Sequence, residues 1–163
     1  MSTITQELFT WSGEYTVGIQ EVDEQHKTLV GLLNQLHDAI HRKVGRAASR
    51  EILDRLAEYT ITHFLLEESL MRVAGYPGFA IHKQQHEDLL HEVQELQRKL
   101  DQEHVTITFE LLHFLKSWLT HHIIESDKRF GAYLEKKGGL TQYSSWPEEV
   151  QAVMKKKRWW KFW

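Results

Sequence analysis

The sequence THFLLEE, residues 62–68, places a histidine and a glutamate one helical turn apart in an otherwise apolar stretch. His63 and Glu67 are spaced i, i+4, so both project from the same face of a helix. Apolar residues repeat around them with helical spacing over about residues 48–73. Ionisable side chains on a buried helix face are costly unless they have partners. The stretch therefore predicts a helix whose buried face carries ligands for a shared partner, such as a metal ion.

Three further segments have the same helical periodicity, and short connections join them. The four predicted helices span about residues 22–43, 48–73, 80–100 and 108–136. Gly75 and Pro77 interrupt the chain between the second and third helices, and Gly138 and Gly139 end the fourth. This organisation is typical of an all-α, up-down-up-down four-helix bundle.

The residues outside the helices form an N-terminal arm and a C-terminal extension. The arm carries Phe9, Trp11 and Tyr15, so we expect it to lie along the bundle rather than extend into solvent. We predict that residues 1–140 form the bundle with its arm, and that residues 141–163 form the extension.

The composition excludes several classes of protein. There are no cysteines, which excludes disulfides, iron–sulfur clusters and thiolate zinc sites. The hydrophobic fraction of 41% and the charged fraction of 26% are ordinary for a globular protein. The N-terminal residues lack a basic start followed by an apolar run, and no stretch approaches the ~18 apolar residues of a membrane helix. We therefore expect a cytoplasmic protein.

Each of the four predicted helices contributes polar residues to what is otherwise its buried face. The seven candidate metal ligands are His26, His63, Glu67, His82, His86, His122 and Asp127. Two of these ligands on the fourth helix, His122 and Asp127, are five residues apart, half a turn beyond the ideal pair. This offset is compatible with metal binding if the two residues contact the metals at different heights along the helix.

The donor types indicate the metal. Five imidazoles and two carboxylates suit borderline divalent ions such as iron, and they suit calcium or magnesium poorly. Seven ligands are too many for one ion, but they fit two ions if both carboxylates bridge. The five nitrogens then divide as three and two, which leaves one ion with an open coordination position.

Four pieces of the sequence carry a resemblance to a known family. They are VGIQEVDEQH (17–26), HFLLEESLM (63–71), GYPGFAIHKQQH (75–86) and WLTHHIIESD (118–127). Over about residues 11–133 the chain resembles the bacterial hemerythrins, a non-haem di-iron oxygen-binding family. The resemblance implies two Fe ions joined by an oxo or hydroxo group, with Glu67 and Asp127 as bridging ligands. It assigns His82, His86 and His122 to one iron.

The same resemblance assigns His26 and His63 to the other iron, where dioxygen would bind end-on. It implies reversible dioxygen binding for carriage, storage or delivery, and no enzymatic activity. Two alternatives remain open. One is a di-iron enzyme, namely an oxidase, a peroxidase or a nitric-oxide-handling protein; the other is an oxygen sensor. The histidine-rich ligand set favours carriage over oxidation, and the lack of a recognisable signalling domain favours carriage over sensing.

At two places the sequence offers two adjacent residues of the same type for one ligand position. Glu68 lies about 100° around the helix from Glu67, so we expect it to face away from the metals and its removal to have little effect. The family pattern WLxxHI selects His122 over His121, which we expect at the surface.

Apolar side chains beside the ligands are candidates for an oxygen pocket. They are Leu119, Ile123, Trp118 and Phe64. Leu119 and Ile123 bracket His122, so we expect these two to contact the open coordination position. Plain core packing is an equal alternative for Phe64 and Trp118.

The C-terminal sequence KKKRWWKFW, residues 155–163, differs from the rest of the chain. Its five basic residues give it a charge of +5. Because the whole chain has a formal net charge of −3, the remaining residues carry −8. Aromatic residues among lysines and arginines suit an anionic membrane surface or a partner protein. Packing against the chain's own acidic bundle, or self-association, is the competing interpretation, and nucleic acid is disfavoured. The prediction is a cytoplasmic protein that could bind peripherally to the inner membrane surface, with no particular oligomeric state indicated.

Overall fold

The protein is an all-helical bundle in the part of the chain that its computed structural model describes, residues 6–102, 105–139, 148 and 150–152. The elements are a 3-10 turn (Gly13–Tyr15), α1 (Gln20–His41), α2 (Arg46–Ala74), α3 (Phe79–Gln102), α4 (Phe109–His121) and α5 (Lys128–Lys136). A π-helical turn, His122–Asp127, joins α4 to α5, so residues 109–136 form the fourth long helix. The predicted four-helix bundle is confirmed, with helix ends within two residues of those expected.

Capping residues mark the helix ends that the sequence predicts. Gly75 ends α2 in the left-handed conformation with a φ of 63°, and its N–H donates to the Arg72 carbonyl oxygen at 3.2 Å. At the start of α4 the Thr108 hydroxyl accepts a hydrogen bond from the Leu111 N–H at 3.3 Å. These caps fix the register in which the helices present their side chains to the bundle axis.

The described part of the N-terminal arm, residues 6–19, packs along the bundle, as expected. Phe9 is almost fully buried, and its backbone N–H donates to Asn34 Oδ1 at 2.9 Å. The Asn34 side-chain amide returns a hydrogen bond to the Phe9 carbonyl oxygen at 2.8 Å. The paired hydrogen bonds hold the arm against α1.

A close backbone contact fixes the end of the arm on α5. A Cβ atom at Gly131 would lie only 2.3 Å from the Val17 carbonyl oxygen. Asp23 also accepts hydrogen bonds from the backbone N–H groups of Val17 and Gly18, at 2.7 and 3.2 Å. The arm therefore approaches α5 closely enough that only glycine fits at position 131.

The core consists of two apolar clusters separated by a polar layer. Along α1, His26 lies between Val30, which belongs to the first apolar cluster, and Val22, which belongs to the second. Val150, in the C-terminal extension, is fully buried in the same cluster as Val22 and Phe130. The predicted tail, residues 155–163, lies outside the described residues. Among the helices that are described, none is long and apolar enough to cross a membrane.

Candidate metal centre

The structure brings all seven predicted ligands together in the polar layer. Every one is buried, with at most 6% of its surface exposed. Their ligand atoms form two groups, in each of which all atoms lie within 4.8 Å of one another. One group contains Glu67, His82, His86, His122 and Asp127, and the other contains His26, His63 and Asp127. The histidines therefore divide three and two, as the ligand count predicts.

Asp127 joins the two groups of histidines. Its Oδ2 lies 3.0 Å from His26 Nε2, while its Oδ1 lies 2.9 Å from His82 Nε2 and 3.0 Å from His122 Nε2. The two oxygens of one carboxylate thus face different groups, which is the arrangement of a bridging ligand.

Glu67 is placed in a similar way on α2. Its Oε2 lies 3.4 Å from His63 Nε2 and 3.6 Å from His86 Nε2, and these imidazoles belong to different groups. Both carboxylates therefore lie between the two sets of nitrogens, where each can contact two ions at once.

The π-helical turn explains how His122 and Asp127 share a face although they are five residues apart. In an α-helix such residues point about 140° away from each other. A π-helix closes its hydrogen bonds between i and i+5, so it brings these residues onto one face. The two side chains consequently contact each other, with His122 Nε2 3.0 Å from Asp127 Oδ1, and Asp127 also belongs to the group of His26 and His63.

The spacing of the nitrogens tests whether the cluster fits metal ions. All five histidines turn Nε2 towards the cluster centre; His26 and His63 approach at 3.1 Å, and His86 and His122 at 3.0 Å. Two nitrogens bound at right angles to one ion, each about 2.1 Å from it, lie about 3.0 Å apart.

Unsatisfied polar atoms in the layer support the same interpretation. The four carboxylate oxygens of Glu67 and Asp127 and the His82 Nε2 are buried without a hydrogen bond of favourable geometry. Such atoms are costly in an apolar interior, and coordination of cations satisfies them together. The donor set and its geometry fit two borderline divalent ions such as iron.

Two residues outside the ligand set, Gln25 and Glu68, orient two of the histidine ligands through hydrogen bonds to Nδ1. His63 Nδ1–H donates to Gln25 Oε1 at 2.8 Å, and His86 Nδ1–H donates to Glu68 Oε1 at 2.9 Å. Each hydrogen bond leaves the lone pair on Nε2, the nitrogen that faces the cluster. Glu68 does not face away from the ligands as expected, because its carboxylate contacts His86, and we now predict that its removal weakens metal binding. Glu68 does not bridge, but it faces α3, which the helical rotation of α2 alone does not reveal.

The electrostatics of the layer favour metal binding. Burial and the neighbouring His26 lower the pKa of His63 well below its usual range, and burial and His122 lower the pKa of His86 to about 2. Both imidazoles are therefore neutral at pH 7, the form that coordinates metals.

The two carboxylates respond in opposite ways to burial. Burial and the adjacent Asp127 raise the pKa of Glu67 well above its usual range. Burial alone would also raise the pKa of Asp127, but His122, His26 and His82 together hold that pKa well below its usual range. The metal-free layer thus keeps a proton on one carboxyl, which cations would displace.

Aromatic residues stack on two of the ligands. The Phe64 ring lies 3.6 Å from the His86 ring at an interplanar angle of 3°, and the Trp118 ring lies 4.5 Å from the His122 ring at 12°. These contacts limit rotation of the imidazoles, so Phe64 and Trp118 do more than fill the core.

An apolar cavity of about 40 Å³ lies directly beside the polar layer. Phe64, Trp118 and Leu119, three of the four candidates for the oxygen pocket, line it. Four residues of its walls lie one helical turn from the ligands His26, His63, His86 and His122; they are Leu29, Thr60, Leu89 and Leu119, respectively. Ile123 is an exception: it does not line this cavity and is fully buried in the second apolar cluster.

Comparisons with known proteins agree with this geometry. The family model "Hemerythrin HHE cation binding domain" matches residues 17–134. The chain is 36% identical to a bacteriohemerythrin of Stenotrophomonas maltophilia over 84% of this chain and 87% of that protein. It is 34% identical to a bacteriohemerythrin of Methylococcus capsulatus over 78% of this chain and 97% of that protein. A crystal structure of wild-type hemerythrin matches with a TM-score of 0.74 and 34% identity, and it covers 78% of this chain and 98% of that one.

Proposed function

Because the chain belongs to the hemerythrin family, we propose that it binds dioxygen reversibly at a non-haem di-iron centre, for carriage, storage or delivery. The observation that carries the proposal is the division of five imidazole nitrogens into groups of three and two around the same two carboxylates. His82, His86 and His122 would hold one iron, His26 and His63 the other, and Glu67 and Asp127 both. Two ferrous ions held in this way would supply electrons and one free coordination position for dioxygen.

The protein contributes orientation and exclusion of water. Gln25 and Glu68 hold two imidazoles with Nε2 towards the layer, and Phe64 and Trp118 stack on two of them. The cavity beside the layer is lined almost entirely by apolar side chains, which offer water few hydrogen-bond partners, and it suits a small apolar gas. We propose binding rather than catalysis because the ligand set is rich in histidine, and Gln25 and Glu68 are engaged in hydrogen bonds that orient two of these ligands.

Metal analysis and an optical titration test this function. We expect two irons per chain and, in the reduced protein, a visible charge-transfer band that forms with dioxygen and disappears when dioxygen is removed. One metal per chain, or zinc in place of iron, would contradict the centre. A band that decays with consumption of dioxygen and of an added reductant would instead support the oxidase alternative.

A further inference from the structure

The seam between α3 and the π-helical turn is where the candidate ligands come closest to solvent. His122 and His82 are 6% and 4% exposed, whereas the other five ligands are 0–1% exposed. Two open cavities reach them at this seam. The first seam cavity, about 370 Å³, lies against His122, and the second, about 470 Å³, lies against His82. A hydrated ion therefore has its shortest path to the polar layer here.

One hydrogen bond spans the seam between the two cavities. Ser126 Oγ donates to Gln85 Oε1 at 2.8 Å, and both residues line both cavities. Ser126 directly precedes the bridging ligand Asp127, so this bond also holds the π-helical turn against α3.

The two cavities differ in their chemistry towards cations. The second seam cavity is lined by Arg129 and Lys136, which repel a divalent cation. The first is lined by His121 and Glu125, and the described residues around it include no lysine or arginine. An imidazole and a carboxylate are the donor types that the buried layer itself offers.

The hydrogen bonding of His121 leaves it ready to bind a metal. Its Nδ1 lies 2.7 Å from the Ser117 carbonyl oxygen. A carbonyl oxygen only accepts hydrogen bonds, so Nδ1 carries the proton and the neutral ring keeps its lone pair on Nε2. Sequence reasoning assigned His121 no task beyond being exposed, and the structure confirms that exposure.

We propose that His121, Glu125 and Gln85 in the first seam cavity form an acquisition site that takes Fe²⁺ from solution and transfers it across the seam to His122. An ion that leaves water needs replacement ligands along its path, because an unpaired charge in an apolar interior is very costly. The apolar cavity on the other side of the layer offers no imidazole or carboxylate, and its one hydroxyl, of Thr60, already donates to the Leu56 carbonyl oxygen. The inference rests on the proposed metal centre, but it does not depend on dioxygen binding.

A transfer site lowers the barrier in both directions and leaves the final affinity unchanged. In the double variant His121→Ala/Glu125→Gln we expect Fe²⁺ uptake and release to slow together, each by about tenfold, with two irons bound at the end. Metal-free protein is mixed with Fe²⁺ under anaerobic conditions, and samples are rapidly desalted for elemental analysis. Release is followed by transfer to a chromogenic ferrous chelator.

Two further variants make the result specific. The control His113→Ala/Glu110→Gln removes the same residue types from exposed positions of the same helix, and we expect wild-type rates. Ser126→Ala removes the seam hydrogen bond but leaves His121 and Glu125 in place, and we expect faster uptake and faster release.

Uptake at the wild-type rate in the His121/Glu125 double variant would overturn the inference, and so would equal slowing in the control. A reduced final iron content in the double variant would overturn it too, because a role in final coordination would then explain the rate. If the unmodified protein binds no iron, the proposed metal centre fails, and this inference fails with it.

Discussion

Glu68 acts on the metal layer through one hydrogen bond, from His86 Nδ1–H to Glu68 Oε1 at 2.9 Å. Glu68→Ala removes the acceptor and frees the His86 ring to rotate and to change tautomer. Loss of such an outer partner typically lowers metal affinity about 10–100-fold. We expect that range for Glu68→Ala in a chelator competition assay, with secondary structure unchanged by circular dichroism.

Glu68→Gln is the matched control, because its side-chain oxygen can still accept the hydrogen bond. We expect its metal affinity to remain within a few-fold of that of the unmodified protein. Equal losses in both variants would show that the charge of Glu68, rather than its acceptor oxygen, supports the site.

We expect Glu67 to support metal binding but to destabilise the metal-free protein. Burial and Asp127 raise its pKa in the folded state. Above pH 4.5, the ordinary pKa of the Glu67 carboxyl in the unfolded chain, the unfolded chain loses this proton while the folded chain keeps it. The stability that this proton contributes to the metal-free protein is therefore lost as the pH rises through the raised pKa. Glu67→Gln removes this cost and should unfold at higher urea concentration than the unmodified protein at pH 7.5.

The difference should shrink as the pH falls below 4.5, where Glu67 becomes protonated in both states. Each tenfold difference in proton affinity between the folded and unfolded chains corresponds to about 1.4 kcal/mol, so urea denaturation should resolve the effect at pH 7.5. The same variant should fail to hold two irons, since a neutral amide is a poor bridging ligand. A metal-free Glu67→Gln protein that is less stable at pH 7.5 would contradict the electrostatic argument.

Leu119 separates the apolar cavity from the ligand His122, which follows it by one turn. Leu119→Ala should enlarge this cavity and admit water beside the layer. We expect several-fold faster autoxidation, followed by the decay of the dioxygen-dependent band, with two irons still bound.

Leu115→Ala is the control for Leu119, because Leu115 lines the same cavity one turn farther from His122. It should lower the free energy of unfolding by about 2–4 kcal/mol, with a smaller effect on autoxidation. Similar autoxidation rates in both variants would assign the effect to general loosening of the core.

At the scale of helices, the contact between the arm and α5 depends on Gly131. Gly131→Ala places a methyl group against the Val17 carbonyl oxygen and should displace the arm. We expect a loss of about 1–3 kcal/mol in the free energy of unfolding, measured by denaturant titration. Gly31→Ala in α1 meets nothing within 4 Å and should instead stabilise by about 0.5–1 kcal/mol. Equal effects at both positions would contradict the close approach.

The helices themselves were predictable because their apolar periodicity and their glycine and proline breaks are local signals. The ligands were predictable because ionisable residues on a buried face need a common partner, as His63 and Glu67 show. The π-helical turn was not predicted, although the spacing of five residues between His122 and Asp127 was a signal of it, because the amino-acid types in this stretch also suit an α-helical turn. The partnership of Glu68 with His86 joins two helices, and helical periodicity describes only one helix at a time.

At the scale of the whole molecule, charge is divided between an acidic body and a basic tail. Residues 155–163 carry +5, and the rest of the chain carries −8. Val150 is buried in the second apolar cluster, so the extension contacts the bundle at that residue. A deletion that begins after Val150 should therefore leave the core intact.

Deletion of residues 155–163 should leave iron and dioxygen binding unchanged and abolish an association with anionic membranes. All seven ligands precede the tail, and lysines resist burial in a core. Co-sedimentation should show binding to anionic vesicles, weaker binding at high salt, and none to neutral vesicles. A variant with the five basic residues replaced by glutamine tests charge separately from the aromatic residues. Equal sedimentation of full-length and truncated protein would exclude the membrane and favour packing of the tail on the acidic bundle.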